Sequence, residues 1–163
     1  DLLARYIEQG GGVVQCMYSM DSTCTDGLIG GQYETNNYCP IAYQPYATYE
    51  TKIGFRKVEY EHFLLTGVED LSEKLAVAFC PTPNGLVTKE WTKVVATYDD
   101  KAKTIAVATK EIEGKKKGRV CVLNFYPCPY NNDEEVYFSG KNEPQLMANA
   151  LLYCGTPTNN KKK

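Results

Sequence analysis

The sequence predicts an α/β fold, and three stretches carry that expectation. They are a helix that runs through glycines into an apolar strand at the start, three strand-like segments between 93 and 127, and a closing helix over 142–155. In "DLLARYIEQGGG" the apolar Leu2, Leu3, Tyr6 and Ile7 recur at i, i+1, i+4 and i+5, one helical face, and Gly10 to Gly12 supply a left-handed C-cap and a tight turn. Val13, Val14, Gln15, Cys16 and Met17 follow, β-branched at the start and apolar on both faces except at Gln15, as in a buried parallel strand. Residues 21–45 are rich in Gly, Asn, Thr and Tyr without periodicity, so a long loop or short irregular helices over a sheet end are expected, of the kind that often carries function. Residues 53–72 mix charged and apolar residues and read as a short strand or helix followed by a turn at Gly67.

The segments "KVVATY", "KTIAVATKEI" and "GRVCVLNFYP", divided by the polar turns "DDKA" and "EGKKKG", form a strand meander. Val120, Cys121, Val122 and Leu123 are wholly apolar, which places the last strand in the middle of the sheet. In the final helix, Asn142 is the N-cap, Pro144 sits in the first turn, Leu146, Met147, Ala150, Leu151 and Cys154 make the buried stripe, and Gly155 stops it. Residues 1–155 are thus expected to form one α/β domain, with 156–163 as a flexible tail.

Composition narrows the partners. The 18 basic and 20 acidic residues leave a net charge of −2, and no coherent basic face emerges, so nucleic acid is not expected. Lys115–Lys117 read as a solvated turn and Lys161–Lys163 as a solvated tail. No apolar run approaches the roughly 18–20 residues that cross a bilayer, and the start lacks a signal-peptide pattern, so the chain is expected to be soluble and off the membrane. It begins at Asp1 inside a helical pattern, which suggests a processed or partial piece of a longer chain. The seven cysteines are odd in number, several lie in apolar runs, and no Asn-x-Ser/Thr occurs, so a reducing, intracellular (cytoplasmic) setting is favoured.

Chemistry has few carriers. His62, in "EYEHF", is the single histidine and hence the sole imidazole base for a Cys-His or Ser-His mechanism. One histidine and no C-x-x-C pair argue against a metal site. Gly10–Gly12 follow a helix and precede a strand, the reverse of a phosphate cradle, and "GLIGG" at 27–31 lacks the Lys and Ser/Thr of a Walker loop, so no nucleotide cofactor is expected. Asp99 and Asp100 are turn residues by position, and Asp133, Glu134 and Glu135 precede a strand-like stretch; neither group forms an acid/base pair.

The order "YIEQGGGVVQ" into a strand, then "GRVCVLNFYPCP" and "LMANALLYC", resembles the class I glutamine amidotransferase-like superfamily over residues 1–19 and about 118–155. The resemblance implies a three-layer flavodoxin-like sandwich with a mostly parallel central sheet, opening part way through the domain, with earlier strands upstream or supplied by another chain. Active members hold a nucleophilic cysteine on a glycine-flanked turn, with a His and an acidic partner late in the chain. Cys16 sits near the strand-end position, but "VVQCMYSMD" lacks the flanking glycines and "FYPCPYNNDEE" lacks the late histidine, so no catalytic residue carries over.

Three functions follow as expectations. The first is a non-catalytic structural or protein-protein interaction module with other protein chains as partners. The second is a thiol-dependent hydrolase or transferase with Cys16 as nucleophile and His62 as base. The third is a small-ligand or sugar-binding domain at the strand carboxyl ends, near Tyr18, Asp21, Gly30 and Gly31.

Overall fold

In a computed structural model of the chain, the residues described are 2–16, 19, 29–42, 47–53, 55–69, 76–80, 91–98, 104–114, 116–125 and 142–156. Helix α1 (Leu2–Glu8) ends as its glycines dictate. The Gly10 N–H donates to Ile7 O at 2.8 Å and the Gly11 N–H to Tyr6 O at 2.9 Å, with Gly10 at φ 95°, the paired closure of a Schellman end. Strand β1 (Gly12–Cys16) follows, then a four-residue helix α2 (Gln32–Thr35), β2 (Ala47–Ile53) and β3 (Phe55–Lys57). A 3-10 turn spans Phe63–Leu65, β4 is Ala76–Cys80, and β5 (Thr92–Tyr98), β6 (Ile105–Ile112) and β7 (Gly118–Leu123) lead to helix α3 (Asn142–Gly155).

Five strands form a sheet in the order β1-β7-β6-β5-β3, and β2 pairs antiparallel with β4 apart from it. The meander of β5, β6 and β7 and the interior place of β7 match the sequence reading. The mostly parallel, three-layer flavodoxin-like sandwich does not: β1–β7 is parallel, whereas β7–β6, β6–β5 and β5–β3 are antiparallel. The cause is connection length. The links 99–104 and 113–117 are too short for the crossover of a dozen or more residues that a parallel return needs, so they make hairpins; β1 and β7, far apart in sequence, are free to run together.

Period-2 alternation divides the core between the two faces of this sheet. Val14, Cys16, Val107, Cys121 and Leu123 pack with Leu64, Leu146, Ala150 and Cys154 under α3 and the 3-10 turn. Val13, Ala108, Ile112, Val120 and Val122 pack with Ile7 and Tyr33 under α1 and α2. Gln15, the polar exception in β1, is buried and satisfied: Tyr33 Oη donates to its Oε1 at 2.7 Å and its Nε2 donates to Ser19 O at 3.1 Å. Asn149 of α3 donates through Nδ2 to Leu64 O at 2.9 Å and Thr66 O at 2.8 Å, which fastens the 3-10 turn to the helix.

The C-terminal end of α3 rests directly on the first residue of β1. A Cβ at Gly12 would lie 1.9 Å from the Cys154 carbonyl oxygen, a backbone atom held by its own helix. Among the described residues no helix is long and apolar enough to cross a membrane. The Asp99–Asp100 turn, Lys115, residues 21–28 and 43–45 of the expected loop and the tail beyond Thr156 lie outside the described residues.

Gly12→Ala is expected to lower the unfolding free energy by about 3 kcal/mol or more, since neither backbone can yield without unpacking the α3 layer. Gly30→Ala, where the nearest atom is the Glu34 Oε2 at 3.7 Å, is expected to stay within about 0.5 kcal/mol of the parent. Urea midpoints measured on both variants check the contrast.

Candidate functional site

A cavity of about 430 Å³ opens on the α3 face, near the starts of β5 and β7. Its floor is Thr109 of β6, its inner wall His62 and Tyr153, and its rim Trp91, Thr92, Lys93 and Glu111. Strand pairing explains the convergence. Thr92 and Lys93 lie opposite Lys110 and Thr109, and Glu111 opposite Arg119, so three strands deliver side chains to one end of the sheet.

His62 reaches this floor because it ends the 59–62 turn and caps the 3-10 helix. Its Nδ1 accepts from the Leu64 N–H at 3.2 Å, and its Nε2 lies 3.4 Å from Thr109 Oγ1. With Nδ1 accepting, the neutral ring carries its proton on Nε2 and donates to Thr109. Thr109 in turn hydrogen-bonds Tyr153, whose ring centroid is 5.4 Å from that of His62. Burial, aided by the charge on Lys93, holds the imidazole pKa below its ordinary value, while Glu59 pulls weakly the other way. Near neutrality His62 is therefore an uncharged hydrogen-bond donor with both nitrogens engaged.

The far side of the pocket is a run of charges. Arg119 lies over the Tyr153 ring, 4.6 Å from its centroid, and donates to Tyr153 O at 3.0 Å. Its Nε is 3.6 Å from Glu111 Oε1, while Lys117 Nζ is 3.3 Å from Glu111 Oε2 and 3.5 Å from Glu113. Lys117 also stands 5.7 Å from the centre of the Trp91 ring. Trp91 itself is 63 % exposed and has φ 60°, the left-handed region, which for a bulky side chain costs of order 1–3 kcal/mol. Its carbonyl accepts from the Glu111 N–H at 3.3 Å, which ties this conformation to β6.

The sequence-based candidates are scattered. Cys16 ends β1 opposite Leu123, which faces Val107, while His62 sits at Thr109; two strands of about 4.8 Å and two residues of about 3.4 Å put the positions roughly 12 Å apart. That exceeds the roughly 3 Å over which a base takes a thiol proton. Burial also raises the Cys16 thiol, and it lifts Cys39 to about 12, Cys154 to about 11 and Cys121 well above the ordinary range.

Gly30 and Gly31 lie at the carboxyl end of β1, where Ile29 N–H meets Ser19 O at 3.5 Å, on the α1 side of the sheet and away from the cavity. Gly31, at φ 72°, precedes a helix of only four residues. Tyr18 and Asp21 fall outside the described residues. Among the described residues, no group of three or more His, Cys, Asp or Glu is placed to hold a metal.

Trp91, Lys93, Thr109, Glu111 and Tyr153 were not singled out by the sequence. Two signals pointed there: the lone tryptophan set in the polar "TKEWTK", and a threonine inside the apolar run of β6.

Two titrations check this geometry. Alkylation of Cys16 in the native chain at neutral pH is expected to be slower than in denaturant and to accelerate only above the ordinary thiol value of 9.0, read by mass spectrometry. His62 is expected to titrate below 6.5 by NMR. Since the unfolded chain then binds a proton that the folded chain refuses, stability should fall as pH drops through 6.5 and level off below the folded pKa.

No protein-family model matches the chain, and neither a curated protein nor a solved structure matches it significantly, so what this pocket and this fold do is read from their own residues.

Proposed function

We propose that this chain is a non-catalytic module that docks onto another protein chain through the outer face of α3. The observation that supports it is the chemistry of that face. From Pro144 to Thr156 the sequence has no charged residue, and Pro144, Ala148, Leu151 and Leu152 all point outward, the two leucines each 58 % exposed, so Leu151 lies outside the buried stripe that its spacing predicts. Surface helices normally carry charges opposite their buried stripe, whereas here Gln145 is the one exposed polar side chain among Pro144, Ala148, Leu151 and Leu152. Here the inner stripe of Leu146, Ala150 and Cys154 is already spent on the sheet, so the outer one requires a second protein surface.

The absence of charge selects against a membrane surface rich in anionic lipid, which recruits basic side chains, and against nucleic acid for the same reason. The thiol-dependent alternative finds no support in the placement of Cys16 and His62. A cytoplasmic, reducing setting is part of this reading, supported by the buried thiols of Cys39, Cys121 and Cys154 and the half-buried one of Cys16, none of them paired in a disulfide.

A photo-crosslinking residue placed at Leu151 is expected to join the chain to a single protein species in extract of its native cells. The same residue at the exposed Lys116 should give at least tenfold less product. Equal yields at the two positions, read on a denaturing gel, would remove the basis for the proposal.

A further inference from the structure

The cavity between Trp91 and Tyr153 does not belong to the docking face, since Leu151 and Leu152 point away from the sheet while Tyr153 points into the cavity wall. Its lining has an unusual division of labour. One wall is a flat indole, 63 % exposed and offered by a strained backbone position. The remaining surface is polar: the hydroxyls of Thr109 and Tyr153, the His62 ring, the Lys93 ammonium and the Glu111 carboxylate. Donors and acceptors are both present and spaced around a volume of about 430 Å³, toward the small end of the roughly 300–1,000 Å³ that ligand pockets span.

From this geometry we propose that the cavity binds a neutral pyranose sugar, one ring face lying on Trp91 and its hydroxyls bridging Glu111, Lys93 and Thr109. A sugar ring has an apolar face of C–H groups, which suits an indole, and an edge of hydroxyls that each donate and accept, which suits a rim where carboxylate, ammonium and hydroxyl alternate. Charge argues for neutrality. Glu111 is already held by Lys117 and Arg119, and Lys117 also by Glu113, so an anionic ligand would compete with carboxylates in place and a cationic one would face three basic side chains. Neutral His62 fits the same pattern, because with both nitrogens engaged by Leu64 and Thr109 it lines the wall without adding a charge. The bulky residue at φ 60° also finds a role, since the strain holds the indole over the opening where a relaxed strand start would turn it away.

The chain has one tryptophan, so its fluorescence reports on this site alone. The whole chain is titrated with methyl β-glucopyranoside, methyl β-galactopyranoside and methyl α-mannopyranoside to about 50 mM, a span that covers a Kd in the millimolar range. At least one is expected to give a saturable change, and isothermal calorimetry on that sugar should show at least a tenfold loss of affinity in Trp91→Gly. Lys93→Met, a change at an exposed position, should weaken it threefold or more. Both variants are expected to keep the parental circular dichroism, and Trp91→Gly should melt no lower than the parent because glycine is at ease at that φ. The proposal is overturned by no saturable response to any of the three, by tighter binding of glucuronate or adenosine than of every pyranoside, or by undiminished binding in Trp91→Gly. None of these outcomes bears on crosslinking at Leu151.

Discussion

The structure depends on the pairing of β7 along both of its edges. On one side it runs parallel to β1, with Val14 beside Cys121 and Cys16 beside Leu123; on the other it runs antiparallel to β6, with Thr109 beside Cys121. Its four residues from Val120 to Leu123 are fully buried, and they alternate between the α3 layer and the α1 layer. Removing either neighbour would expose backbone donors and acceptors in the middle of the core, where an unsatisfied group costs of order 1–3 kcal/mol. The N-terminal and C-terminal parts of the chain are thereby joined through one strand.

Much of this was legible in the residues. The helix, glycine turn and strand of 2–16, the three strands of the meander and the closing helix each combine a clear period with clear stop signals, and each forms close to its expected bounds. Even the parallel sense of β1 agrees with its nearly continuous apolar run, although β1 stands at the end of the described sheet and only Gln15 of its residues is fully buried. What failed was the step from local elements to the sheet as a whole. Strands joined by links as short as 113–117 turn back on themselves, which a likeness to parallel α/β domains does not reflect.

The pocket was barely legible, for a physical reason. Its residues come from 62, 91–93, 109, 111 and 153, and nothing in one-dimensional spacing announces that Glu111 faces Arg119 or that Tyr153 lies beside His62. Register brings them together, and register is a property of the folded sheet. Reading along the chain instead favoured residues that look reactive in isolation. Cys16 is one of these, and the fold spends it on packing.

The uncharged stretch from Pro144 to Thr156 has a further consequence for the energetics of the docking proposed above. With no ion pair to screen and no counterion to release, such a contact is set by the cohesion of water and not by the ionic atmosphere. Sodium chloride that dissolves charged interfaces should leave it standing, excluded salts such as sulfate should tighten it, and cooling should loosen it. The helix would then behave as an adhesive whose strength follows temperature and solvent structure, in a cell whose pH and salt can vary without touching it.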